Sequence, residues 1–139
     1  MKFCDETLFP PILAYAHKYS HGDVELPHTH QCAQLLHALS GVIRVDTPSN
    51  SWVVTTNQGL WIPAGTPHSL KITGDVQVRT LFVDPIARAD LPNICVLSNV
   101  SSLLTSLIVE AVSLPDIRIA GTRAERIFEL ILDELRLLN

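Results

Sequence analysis

Gly22-Asp23-Val24-Glu25-Leu26-Pro27-His28-Thr29-His30-Gln31-Cys32-Ala33-Gln34-Leu35-Leu36-His37-Ala38-Leu39-Ser40-Gly41 decides the fold, because it sets two histidines and a glutamine at even spacing between two glycines. Side chains alternate faces along an extended strand. His28 and His30 therefore point the same way, and Gln34, an even number of residues on, returns to that side. A second stretch, Pro63-Ala64-Gly65-Thr66-Pro67-His68, adds a third histidine with agreeing parity. His68, Leu70 and Ile72 share one face while Ser69 and Lys71 take the other, so His68 points inward with the apolar residues. Three imidazoles and a carboxamide thereby converge inside a β structure, where neutral imidazole suits Zn, Ni, Cu or Fe(II).

Outward from these segments the chain reads as short strands. Ala33–Leu39 and Val42–Asp46 are β-prone runs with Ser40-Gly41 as a hairpin turn between them. Thr47-Pro48-Ser49-Asn50 turns the chain into Trp52–Thr56, and Asn57-Gln58-Gly59 turns it into Leu60–Ile62. Ser69–Ile72 and Val76–Val83 alternate polar with apolar up to Asp84-Pro85. Strands this short and closely spaced predict a sandwich or barrel. The character changes between Asp90 and Asn99. Leu103, Leu104, Leu107, Ile108, Ala111 and Val112 recur at helical spacing until Leu114-Pro115. Gly121 and a Thr122-x-x-Glu125 capping box open a second helix with Ile127, Leu130, Ile131, Leu135 and Leu138 on one stripe. The division is a mainly-β barrel with an N-terminal arm over residues 1–90 and a helical segment over 91–139, in one structural unit. Leu137-Leu138-Asn139 has no C-cap glycine or following proline and reads as an interrupted chain.

A chain of 139 residues with 47% apolar and 17% charged residues is a single folded domain, and disorder is excluded. Its net charge of −4 and scattered cations exclude duplex binding by this chain alone. No signal-peptide core precedes Pro10-Pro11, and no run is long enough to span a bilayer. Cys4, Cys32 and Cys95 are odd in number without C-x-x-C spacing, which predicts reduced thiols and a cytoplasmic protein. Glu25 is the carboxylate nearest the histidines, and strand parity points it away. No catalytic triad, phosphate loop or acidic dyad is evident. His17, His21 and His37 lack the company of the other three and read as surface or structural residues. Trp61, with Trp52, is an aromatic candidate for stacking on a ligand, although tryptophans in a small barrel are more often core.

The spacing Gly22-x5-His28-x-His30-x3-Gln34-x6-Gly41, followed by Pro63-x-Gly65-x2-His68, resembles the paired motifs of the cupin superfamily. That resemblance implies a double-stranded β-barrel that commonly holds one divalent metal. The family usually carries Glu where this chain has Gln34, so a charge that helps hold metal is missing there. Gln34–Val45 together with Gly59–His68 resembles, more specifically, the N-terminal sensor domain of AraC-family transcriptional regulators. The resemblance covers most of residues 20 to 85. It implies a barrel that binds a small-molecule effector, helices that make a homodimer, and DNA contact only through a helix-turn-helix domain absent from this chain.

The expected site is therefore His28, His30, Gln34 and His68, holding a divalent transition metal (Zn or Ni) or lining an effector pocket with Trp61. Three neutral imidazoles and an amide leave a bound ion its whole +2 charge, which favours an anionic effector. The expected dimer forms through the helical stripe. The rival reading is a small metal-dependent cupin enzyme, a dioxygenase or isomerase, using the same four residues on Fe(II) or Mn(II). A free-standing binding protein is the third.

Overall fold

The computed structural model describes residues 11–115 and 119–139. In chain order it gives β1 (Ile12–Tyr19), β2 (Val24–His28), β3 (Ala33–Asp46), β4 (Ser51–Val54), β5 (Gln58–Ile62), β6 (His68–Val83), β7 (Val96–Asn99), α1 (Ser102–Ala111) and α2 (Arg123–Leu135). The long strands β3 and β6 are the frame, running antiparallel from Ala33 opposite Val83 to Asp46 opposite Ser69. The first part of β3 also pairs β5, which pairs β7, while the last part of β6 pairs β1. Beyond their midpoints, β3 pairs β4 and β6 pairs β2. One seven-stranded antiparallel sheet results. Its two ends close over a shared interior, to which Leu36, Ala38, Leu60, Ile62 and Val78 come from one half and Ile43, Val45, Val54, Leu70 and Ile72 from the other.

The hairpin turn expected at Ser40-Gly41 is instead an irregularity inside β3. The register with β6 shifts on both sides of Ser40, and the strand continues. Gly41 has φ +84°, and a Cβ there would lie 2.5 Å from Val76 Cγ2 and 2.7 Å from Asp75 O. Glycine thus permits both the left-handed backbone and the close passage of β6. The slip also changes strand parity: Leu36 and Ala38 face the interior before it, Ile43 and Val45 after it. A glycine bulge and a glycine turn both need positive φ, so the local sequence does not separate them.

A second core lies on the outer face of the β1–β6–β3–β5 half. Leu35, Trp61, Leu81 and Val83 meet Leu104, Ile108 and Ala111 of α1 and Ile127, Phe128, Ile131, Leu132 and Leu135 of α2. Both helices start on caps: Leu104 N donates to Ser101 Oγ at 3.1 Å, and Glu125 N to Thr122 Oγ1 at 3.4 Å. Of the stripe expected to face a second subunit, Ile127, Ile131 and Leu135 are buried within the chain and Leu138 packs on the same core. Leu130 stays 39% exposed. The reason is that this half of the sheet is apolar on both faces, as Leu35-Leu36, Leu60-Trp61-Ile62 and Leu81-Phe82-Val83 show, so the barrel does not close its whole core by itself. Nor do the strands end at residue 90, since β7 extends the sheet beside β5.

Reduced thiols were expected throughout. Cys32 is instead disulfide-bonded, and Cys95 is the free cysteine among the described residues. Cys4 and the first ten residues of the N-terminal arm lie outside the described residues. Among the described residues no helix is long and apolar enough to cross a membrane.

Candidate metal and effector site

β2 lies along the start of β6 with Val24 opposite Lys71, Glu25 opposite Leu70 and His28 opposite His68. Three steps on β2 are matched by two on β6, so an extra residue is accommodated at Leu26-Pro27. Proline fits there because it has no N–H to give to the ladder. Leu26 swings out to 77% exposure. Glu25 and His28, sharing a face with their partners Leu70 and His68, both turn inward. The expectation that parity points Glu25 away is thus overturned by the bulge, and Pro27 was the signal for it.

The coordinating atoms of His28, His30 and His68 lie within 4.8 Å of one another, His28 and His68 as ladder partners and His30 from the segment just past the end of β2. His28 Nδ1 donates to Leu26 O at 2.7 Å and His68 Nδ1 to Thr66 O at 2.9 Å. A carbonyl only accepts, so the proton sits on Nδ1 in both rings and Nε2 keeps a lone pair facing the site. These carbonyls are the outer partners that fix ring orientation in metal sites. Gly65 N donates to His30 O at 2.8 Å, tying the two motif loops together. Burial holds the His68 pKa below the usual histidine value, reinforced by His28 and His30 and opposed by the Thr66 carbonyl and Glu25. His68 is therefore neutral at neutral pH, the form that ligates.

Gln34 reaches the same cavity from β3. It lines a cleft of about 420 Å³ with Tyr19, Glu25, Leu26, His28, Thr29 and His30, and His68 lies buried beneath. Gln34 is 5% exposed, and its Oε1 is buried without a hydrogen-bond partner. Such an orphaned acceptor is uncompensated until a cation or donor meets it. Two imidazoles with Nε2 lone pairs, a third converging imidazole and an unmet oxygen are a donor set that fits a divalent transition metal. Glu25 stands beside them: Tyr19 Oη donates to its Oε1 at 2.7 Å, and its Oε2 is 3.8 Å from His28 Nε2. Burial, then the hydrogen bond to Glu25, raises the Tyr19 pKa, so the hydroxyl remains a donor.

Trp61 does not belong to this cleft. It pairs with Leu35, one register position from Gln34, and so faces the helices, 1% exposed, with Nε1 donating to Pro92 O at 2.8 Å. His37 is fully buried between Gln58 O at 2.9 Å and Thr105 Oγ1 of α1 at 3.3 Å, a structural bridge. His17 and His21 are exposed, as expected. Phe82, with ring centroid 5.1 Å from that of His30, and the disulfide-bonded Cys32 close the floor beside the site.

The strand order and the two histidine segments meet in an independent likeness: residues 17–84 match Cupin_2, the cupin domain. Residues 17–84 are a cupin domain. Over 108 residues, 78% of the chain, it is 30% identical to the HTH-type transcriptional regulator NimR of Escherichia coli (strain K12). The chain spans 39% of that regulator's length. Two solved structures share the fold of this chain. The SPY1581 protein of Streptococcus pyogenes is 21% identical at TM-score 0.51, over 54% of this chain and 66% of that one. KdgF from Halomonas sp. is 24% identical at TM-score 0.51, over 58% and 75%. The chain thus has a cupin fold over residues 17–84 with two C-terminal helices, and is similar to a transcriptional regulator over most of its length.

Proposed function

We propose that the chain is the effector-sensing and dimerising part of an AraC-type transcription regulator, with a small molecule bound in the cleft over His28, His30, Gln34 and His68. The observation that carries this is the reach of the regulator likeness. It covers 108 residues, more than the 84 up to the end of the cupin segment, so it runs past Asp84 toward β7 and the helices. That part covers the apolar outer face of the sheet, and a sensor can in addition use it to pass a bound state on to attached domains. His28, His30 and His68 would hold a divalent metal, Zn or Ni, through Nε2 of at least the first and last. When bound, the ion supplies a Lewis-acid centre that recognises an oxygen of the effector. Homodimerisation through the C-terminal helices belongs to the same proposal, on the surface around Leu130 that packing within the chain leaves exposed.

The test fuses this chain to a DNA-binding domain that represses a reporter only as a dimer. Repression that depends on Leu130, and that changes when small molecules enter the cleft, supports the reading; a monomeric fusion indifferent to every cleft variant refutes it. The carboxylate beside the histidines favours one other reading, a metal-dependent cupin enzyme using Fe(II) or Mn(II), since these ions prefer oxygen ligands. Turnover abolished by His30→Ala would establish it.

A further inference from the structure

We infer that Glu25 is the carboxylate of the metal centre, supplying from β2 the negative charge that Gln34 does not supply from β3. This rests on the metal reading above. Four observations carry it. The bulge at Leu26-Pro27 turns Glu25 to the inner face beside His28. Its two oxygens are differentiated, because Tyr19 Oη occupies Oε1 at 2.7 Å and leaves Oε2 toward His28 Nε2 at 3.8 Å. His28 Nε2 carries the lone pair, since Nδ1 is committed to Leu26 O. Gln34 Oε1 has no charge and no partner.

Distances decide between a ligand and a bystander. Metal–N and metal–O bonds are about 2.1 Å, which separates neighbouring donors in one coordination sphere by roughly 3.0–3.4 Å. At 3.8 Å from His28 Nε2, Oε2 is within a small side-chain adjustment of that spacing from one ligand, but it stands outside the group the three imidazoles form with one another, so the carboxylate must swing inward past His28 to join them. Oε2 and His28 Nε2 are also too far apart for a direct hydrogen bond, so no existing bond has to break. Tyr19 is a positioning residue that holds the carboxylate at the mouth of the cleft. With Glu25 included, the charge left on a divalent ion falls from +2 to +1, and the effector need not be a strong acid. A phenol, an enol or a neutral carbonyl oxygen suffices, and this is the ligand class assigned to the cleft.

The experiment titrates Zn²⁺ and Co²⁺ into the whole chain, purified without immobilised metal, by calorimetry with a competing chelator. The variants are Glu25→Gln, Tyr19→Phe, His30→Ala, Gln34→Glu and the Glu25→Gln/Gln34→Glu pair. Expected are no binding by His30→Ala, a loss of affinity of about 10–100-fold in Glu25→Gln, and a smaller loss in Tyr19→Phe. Returning the carboxylate to position 34 in the double variant should restore most of the affinity, which a merely structural role of Glu25 would not allow. The visible bands of the Co²⁺ form should shift in Glu25→Gln and not in Tyr19→Phe. Circular dichroism establishes that each variant is folded; if Glu25→Gln is not, Tyr19→Phe and the double variant carry the test. Wild-type-like affinity in Glu25→Gln, with binding abolished in His30→Ala, overturns the inference and leaves the histidine site standing. Absence of binding by the wild-type chain overturns the metal reading, and the inference with it.

Discussion

Replacing Ile131 with Ala asks where the apolar stripe of α2 is buried. Ile131 is fully buried in the core shared by the helices and the outer face of the sheet. Truncating a buried Ile to Ala costs about 2–5 kcal/mol, because transfer energy is lost and a cavity remains. Unfolding entropy is roughly 2.1 cal/mol/K per residue near 60 °C, or about 0.3 kcal/mol/K for this chain of 139 residues. A loss of about 3 kcal/mol therefore lowers Tm by about 10 °C. Leu130→Ala, at a position 39% exposed, should cost below about 1 kcal/mol and leave Tm within roughly 3 °C. Scanning calorimetry at protein concentrations about twentyfold apart separates the two kinds of burial, because a contact within one chain gives a shift independent of concentration and a contact between chains does not. The reasoning is refuted if Ile131→Ala destabilises only at the higher concentration, or if Leu130→Ala costs as much.

Three further outcomes are expected of the same fold. Burial, aided by Arg79 and opposed by the Gln58 carbonyl, holds the His37 pKa below its unfolded value; the unfolded chain then takes up a proton below pH about 6.5 that the folded chain refuses, so stability is full above that pH and falls as pH drops through the folded pKa, and a Tm–pH profile should be flatter in His37→Gln. Gly41→Ala must place a Cβ 2.7 Å from Asp75 O at φ +84°, and denaturant unfolding should show a loss of at least about 2 kcal/mol; a neutral result would mean that β6 does not cross there. Gln34→Leu removes the unpartnered Oε1, so the metal-free chain should be as stable as wild type or more so in thermal melts while taking up less Zn²⁺ in elemental analysis; unchanged uptake would remove Gln34 from the ligand set.

What the sequence made legible was whatever strict alternation governs. His28, His30, Gln34 and His68 were placed together by counting residues; His28 and His68 are partners in the ladder, whereas His30 lies past the end of β2 and is held by Gly65 N donating to its carbonyl, so strand alternation alone does not account for its place. Helix starts were equally legible, since Ser101 and Thr122 act through hydrogen bonds only three residues long. Besides the turn expected at Gly41 and the thiol expected at Cys32, the failures involve parity or a second apolar face. Trp61 is a stacking candidate by its ring alone, yet it sits one position along β5 from Ile62, the partner of Gln34, and so on the opposite side of the sheet. The α2 stripe was assigned to a partner because an amphipathic helix announces a buried face without naming what covers it. Only the pairing of Leu35, Trp61 and Leu81 on the outer face identifies the cover.

Glu25 shows why a one-residue irregularity carries chemical weight. A carboxylate at position 34, 5% exposed, would be desolvated whenever the metal was absent, and its pKa would rise toward neutrality. At position 25 the side chain is 34% exposed and hydrogen-bonded to Tyr19, so a carboxylate there is less desolvated than one at position 34 would be. Moving the charge from the floor to the mouth thus lowers the cost of the unliganded state without removing the charge from reach of the ion. An enzyme that keeps its metal gains little from this, because its empty state is rarely visited. A sensor gains more, since its response is the difference between two states that must both be populated. If Glu25 completes the metal centre, the bulge at Leu26-Pro27, which spoils a parity count, would also keep that binding reversible.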